Sequence, residues 1–210
     1  MKPQEKLKEI IKKLKKEYPE PKTALNFKTP FELLAAAILS AQTTDAHVNK
    51  VTEKLFKKYK SIKAYADAIP YAFKKDISSI NFYNNKAKNI QASAKKIIER
   101  FNSSVPKTME QLITLPGVAR KTANIILFNA YNINEGIAVD THVRRLANRL
   151  GLAENEDPVK IENDLMEITP KKDWGNLSIL LILHGRKVCQ AKKPKHKECA
   201  LYDICPSRDI

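Results

Sequence analysis

With 210 residues, 43% of them apolar, the chain has the size and composition of a globular protein of one or two domains with a sizeable core. Lysine and arginine number 38 against 23 acidic residues, and the formal net charge of +15 points to a polyanionic partner, nucleic acid first and an anionic membrane second. The longest apolar runs, 33–39 and 177–183, are shorter than the roughly 20 residues of a membrane span, and 1–10 has no apolar leader core. The expectation is therefore a cytoplasmic protein without a targeting segment or a membrane partner.

The chain reads as helical nearly throughout. Leu7, Ile10, Ile11 and Leu14 recur at three- and four-residue spacing and mark a first amphipathic helix. Thr29-Pro30 opens a second, with proline at its first helical position. Thr44 caps a third that carries Val48, Val51 and Leu55. From about Asn84 to Phe101, Ala87, Ile90, Ala94, Ile97 and Ile98 share one face. Thr108-Met109-Glu110-Gln111 is a capping-box signature, and a long helix follows the Leu115-Pro116-Gly117 break. Asp140 opens a helix that Gly151 stops, Asp157-Pro158 starts another, and 177–188 forms the last. Sustained period-two alternation is missing and glycine is scarce, so the predicted class is all-α.

Three features carry chemistry. In 115–119, Pro116 fixes one dihedral and Gly117 lets the backbone turn and approach a ligand closely. The main-chain N–H groups around Leu115, Gly117, Val118 and Ala119, leading into the next helix, suit a phosphate. A plain helix–turn–helix corner explains the same residues. Lys121 follows in the first turn of that helix, and its amine is a potential nucleophile; taken singly, it is one of many basic surface residues. Asp140 reads as an ordinary helix N-cap, which also holds a carboxylate rigid and aimed.

The cysteines form a fourth feature. Cys189, Cys199 and Cys205 are the only three and all lie near the C-terminus. They do not make a disulfide framework, and their clustering in a chain expected to be cytosolic points to a metal.

These segments together resemble the endonuclease III family of DNA glycosylases. Residues 115–123 resemble its helix–hairpin–helix signature, and Ala138-Val139-Asp140-Thr141-His142 its catalytic aspartate segment. The stretch 39–45, Leu-Ser-Ala-Gln-Thr-Thr-Asp, resembles the loop that inserts a glutamine, here Gln42, into DNA. Phe82-Tyr83-Asn84-Asn85-Lys86-Ala87 resembles the segment that presses on the opposite strand, with Phe82 as the wedge; core packing is the plain alternative for that ring. Leu183-His184-Gly185-Arg186 and the cysteine tail resemble the iron–sulfur region. The likeness covers nearly the whole chain in order.

Two departures stand out. Ala119 occupies the place of the family's second hairpin glycine, which is tolerable if its φ stays negative. The family's four-cysteine spacing reads here Cys189-x6-His196-x2-Cys199-x5-Cys205, with histidine as the second donor. The resemblance implies a [4Fe-4S] cluster on Cys189, His196, Cys199 and Cys205; zinc on the same four residues, or no metal, are the alternatives. Lys192, Lys193 and Lys195 in the intervening loop are implied to meet the DNA backbone, with Arg144 and Arg145 as weaker candidates.

The resemblance implies two helical lobes with a DNA cleft between them. A six-helix barrel would occupy 23–131 and include the helix–hairpin–helix at 108–131. A discontinuous helical iron–sulfur lobe would comprise 1–22 and 132–210, with its cluster loop at 189–205. It implies a monomeric base excision repair enzyme acting on double-stranded DNA with a damaged base or abasic site. That enzyme would remove oxidised pyrimidines with Lys121 and Asp140 and cut the strand by β-elimination through a lysine Schiff base. The other readings are a monofunctional mismatch glycosylase of the same fold, a non-catalytic DNA-binding helix–hairpin–helix protein, and a basic zinc-binding protein.

Overall fold

The computed structural model describes residues 2–208. Among these residues there are eleven α-helices, three short 3-10 helices and no strand, so the protein is all-α. In chain order the helices are α1 (Pro3–Glu17), α2 (Pro30–Ser40), α3 (Asp45–Lys58), α4 (Ile62–Ala66), α5 (Pro70–Asp76) and α6 (Tyr83–Arg100). They continue with α7 (Met109–Leu112), α8 (Arg120–Tyr131), α9 (Thr141–Arg149), α10 (Pro158–Ile168) and α11 (Trp174–Lys187). The chain divides into two compact units, one of residues 23–133 and one of residues 1–22 with 134–210.

The 23–133 unit is built on α2. Thr29 caps this helix through a reciprocal pair: its Oγ1 accepts from Glu32 N at 3.2 Å while the Glu32 carboxylate accepts from Thr29 N at 3.3 Å. Residues 31 and 33–39 are all buried, so α2 is apolar around its circumference and runs through the core rather than along a surface. Helices α3, α6 and α8 pack on it. The apolar face of α6 contributes Ala87, Ile90, Ala94 and Ile97 to the same cluster. Two helices that the sequence pattern does not announce, α4 and α5, lie against α6. They have five and seven residues, too few turns to display a hydrophobic period.

The other unit closes around α11 and α9, with α1 and α10 packed beside them. Leu7, Ile10 and Leu14 of α1 enter one cluster with Val143, Leu146, Leu177, Leu180 and Leu181. At the edge of this cluster, Lys13 of α1 pairs with Asp203 at 2.9 Å. The sequence expectation for the last helix started it at residue 177; the helix begins at Trp174, whose indole N–H donates to Thr169 O at 2.9 Å. No helix among the described residues is long and apolar enough to cross a membrane.

Candidate active site and nucleic-acid interface

The hairpin is a tight turn. Val118 N donates to Leu115 O at 3.1 Å, Pro116 takes the second position, and Gly117 takes the third with φ +81°. That pattern of proline followed by a left-handed glycine is the one a type II turn requires. Helix α6 supports it from one face: Ser93 Oγ donates to Pro116 O at 2.8 Å and Lys96 Nζ to Thr114 O at 2.7 Å. Ala119 has φ −90°, in the extended region open to any residue, so its methyl group introduces no backbone strain. Ala119 is the N-cap of α8 and supplies no side-chain acceptor, so the first-turn N–H groups carry the positive end of the helix without a side-chain cap. Lys121 is the second residue of α8 and is exposed.

Asp140 caps α9 in the other unit. One carboxylate oxygen, Oδ1, accepts from His142 N at 2.8 Å and from Val143 N at 2.9 Å. Both bonds converge on Oδ1 and leave Oδ2 outside the cap. Lys121 and Asp140 thus belong to different compact units, each fixed by its own helix start.

Gln42 and Phe82 share an unusual conformation. Both are exposed and both have positive φ, 54° and 57°. The Phe82 ring is 62% exposed, which rules out the core-packing alternative. Asn81 Nδ2 donates to Gln42 O at 2.7 Å and links the two segments.

In the tail, Cys189, His196, Cys199 and Cys205 line one partly open pocket, together with Arg149 and Tyr202. All three thiols are free and half-buried. Burial pushes the Cys199 thiol up, and the neighbouring Cys189 and Cys205 add to the shift. Gathering three thiolates here is thus unfavourable unless a cationic centre offsets the repulsion. Among the described residues no three such side chains are close enough to hold a single ion. Three thiols and one imidazole lining one pocket are a donor set that suits an iron–sulfur cluster or zinc.

Donors to sulfur complete the surroundings. Arg149 Nη1 lies 3.4 Å from Cys189 Sγ, and His184 Nε2 lies 3.3 Å from Cys199 Sγ. His184 is buried, and desolvation lowers its pKa to about 4, so the ring is neutral. Its Nδ1 is 3.3 Å from the Tyr18 hydroxyl, whose pKa burial raises to about 12. A protonated phenol donating to Nδ1 leaves the ring proton on Nε2, aimed at the Cys199 sulfur.

Lys192, Lys193 and Lys195 are exposed, and Lys195 also pairs with Glu198 at 3.3 Å. Arg145 departs from its expectation. Its guanidinium donates to Gly185 O at 2.9 Å and to Cys189 O, also at 2.9 Å, so it ties the cluster loop to α9 and α11 rather than standing ready for a phosphate. Sequence reasoning passed over the tethering roles of Arg145, Arg149, Ser93 and Lys96. Only the polar stripe Asn89, Ser93, Lys96 on α6, at helical spacing beside the apolar face, hinted at one of them.

A family model described as HhH-GPD superfamily base excision DNA repair protein matches residues 35–171. Endonuclease III of Synechocystis sp. is 52% identical over 95% of this chain and 91% of its own length. Endonuclease III of Escherichia coli K12 is 39% identical over 96% of this chain and 95% of its own. A solved trapped endonuclease III–DNA covalent intermediate superposes with a TM-score of 0.93 at 38% identity, covering 99% of this chain and 98% of that one. A thermostable thymine-DNA glycosylase, 22% identical with a TM-score of 0.87, shares the fold. Over nearly its whole length the chain belongs to the endonuclease III family, within the HhH-GPD superfamily of base excision DNA repair proteins.

Proposed function

We propose that Lys121 and Asp140 carry the chemistry of this base excision repair DNA glycosylase and AP lyase. The carrying observation is the exposed Lys121 on the first turn of α8, directly behind the Gly117 turn and at a helix start with no side-chain cap. The turn and the first N–H groups of α8 bind a DNA phosphate and hold the strand beside the amine. The target nucleotide is flipped out of the duplex, because its sugar is out of reach inside the stack. Gln42 fills the gap and Phe82 wedges the opposite strand.

The neutral Lys121 amine attacks C1′ of the sugar and the base departs with the glycosidic electron pair. The Asp140 carboxylate stabilises the cationic sugar and assists the proton transfers. Loss of the base leaves an aminal; the C1′–O4′ bond then breaks, O4′ takes up a proton as the sugar ring opens, and a protonated Schiff base forms between Lys121 and C1′. Removal of a proton from C2′ then expels the 3′ phosphate by β-elimination, and hydrolysis frees the lysine. Oxidised pyrimidines are the proposed substrates, in double-stranded DNA, with the protein acting as a monomer inside the cell.

Cys189, His196, Cys199 and Cys205 would hold a [4Fe-4S] cluster. Its contribution is to pin the tail loop, and Lys192, Lys193 and Lys195 on that loop meet the DNA backbone. Three thiols with one imidazole suit a cluster that has histidine as one ligand; zinc on the same residues is the alternative.

The test is borohydride reduction on abasic duplex DNA. Wild-type protein yields a covalent adduct and Lys121→Ala yields none. Full trapping by Lys121→Ala would remove the lyase role from this residue and favour a monofunctional glycosylase.

A further inference from the structure

We propose that Lys86 is a positioning residue that locks Gln42 and Phe82 into one preformed wedge; the proposal rests on the reading that these two side chains enter the duplex. Both residues sit in the left-handed region that non-glycine residues avoid. Such conformations persist only where the surroundings hold them. Lys86 does much of the holding. It is 6% exposed, and its ammonium donates to Leu39 O at 2.8 Å, to Ala41 O, and to Thr43 Oγ1 at 3.3 Å.

These acceptors surround Gln42 and close the C-terminal end of α2. That helix has no basic residue in its last turn, and its C-cap, Ala41, has φ −57° rather than a left-handed glycine geometry. Its last carbonyls are instead met by a cation reaching across from α6, one turn beyond Phe82. Lys86 N also donates to Phe82 O at 3.2 Å, so the backbone of Lys86 starts the helix that Phe82 caps while its side chain ends the helix before Gln42. Two further links run in parallel. Asn81 Nδ2 donates to Gln42 O, and His47 Nε2 lies 3.0 Å from Ser79 O.

Burying an ammonium against neutral carbonyls is costly, and desolvation pushes its pKa down. An apolar residue would fill the same volume with less penalty. What the ammonium adds is direction: several fixed bonds that set the two exposed tips relative to each other before DNA arrives. A preordered wedge avoids the ordering cost on binding. Its benefit is greatest when the nucleotide to be extruded is still paired, and smallest when it is already unpaired.

The experiment compares single-turnover excision from a fully paired duplex with excision of the same lesion in a one-nucleotide bulge. The variants are Lys86→Met and the exposed-site variant Asn81→Ala, with Gln42→Ala and Phe82→Ala as controls. Lys86→Met is expected to lose about tenfold on paired DNA, the scale of a lost charge-assisted hydrogen bond, and less than about twofold on the bulge. Asn81→Ala should lose about threefold on paired DNA, as for one neutral hydrogen bond, and again little on the bulge. Borohydride trapping on the bulge should remain complete in both.

An equal loss on the two substrates would show a merely structural lysine and overturn the proposal, as would no loss on either. If Lys86→Met does not fold, Asn81→Ala decides by the same comparison. If the Gln42→Ala and Phe82→Ala controls show no preference between paired and bulged DNA, the wedge reading itself fails and takes this proposal with it. If the controls discriminate and the Lys86 and Asn81 variants do not, only the positioning role is lost.

Discussion

A Cβ placed on Gly117 would lie 3.0 Å from the Cβ of Asn89, a crowded contact from which the Asn89 side chain would have to shift, and Gly117 has a φ of +81°. The hairpin therefore rests directly on α6, and the positive φ and the crowding both favour glycine there. Gly117→Ala meets both the left-handed penalty and the contact with Asn89. We expect a stability loss of roughly 1–3 kcal/mol, visible in thermal unfolding, with weakened binding to abasic DNA. Wild-type stability and affinity in Gly117→Ala would mean that the turn is not the rigid phosphate cradle described above.

Asp140 performs two tasks that substitution can separate. Asparagine is about as good an N-cap as aspartate, so Asp140→Asn should fold normally apart from a few tenths of a kcal/mol of lost dipole interaction. Asp140→Ala should cost about 1 kcal/mol. Both should lose roughly a hundredfold or more in single-turnover excision, because both remove the charge that, on the proposed mechanism, stabilises the sugar cation. Damaged-DNA binding by Asp140→Asn should persist. Excision by Asp140→Asn at the wild-type rate would reduce this residue to a cap.

The lysine loop makes a prediction about salt. Each phosphate contact contributes about 0.9 to the slope of log affinity against log salt on duplex DNA. Replacing Lys192, Lys193 and Lys195 with alanine should lower that slope by roughly 2–3. The excision rate at saturating enzyme should stay close to wild type. An unchanged slope would assign these lysines to solvent.

Freshly purified protein should be brown and carry iron. Removing the metal should lower the melting temperature, because metal binding to an ordered loop contributes directly to folding. His196→Ala should lose iron readily. His196→Cys should retain it with a lower reduction potential, since imidazole ligation raises the potential of such centres. A colourless, zinc-loaded and fully active protein would overturn the cluster assignment.

Much of this protein is legible in one dimension. The helices with long apolar periods, the caps at Thr29, Thr44, Asp140 and Asp157, and the Pro116-Gly117 turn are local features, set by residues within a few positions of one another. The brief helices α4 and α5 are not legible, because they exist through packing on α6 rather than through a period of their own. The same holds for the tethers. Arg145 reads as one more basic residue until its guanidinium is seen on the Cys189 and Gly185 carbonyls.

The linear order of motifs sufficed to identify the family, the all-α class and the candidate nucleophile, acid and metal donors, since each depends on residue type and short-range spacing. Only the tertiary structure revealed that Phe82 is exposed, that Gln42 and Phe82 are both left-handed, and that Lys86 meets the end of α2. The Lys86 bonds join residues 45 and 47 positions apart, and no local propensity or period encodes a hydrogen bond across such a distance. They become determined only when the core formed by α2, α6 and α8 has brought the segments together.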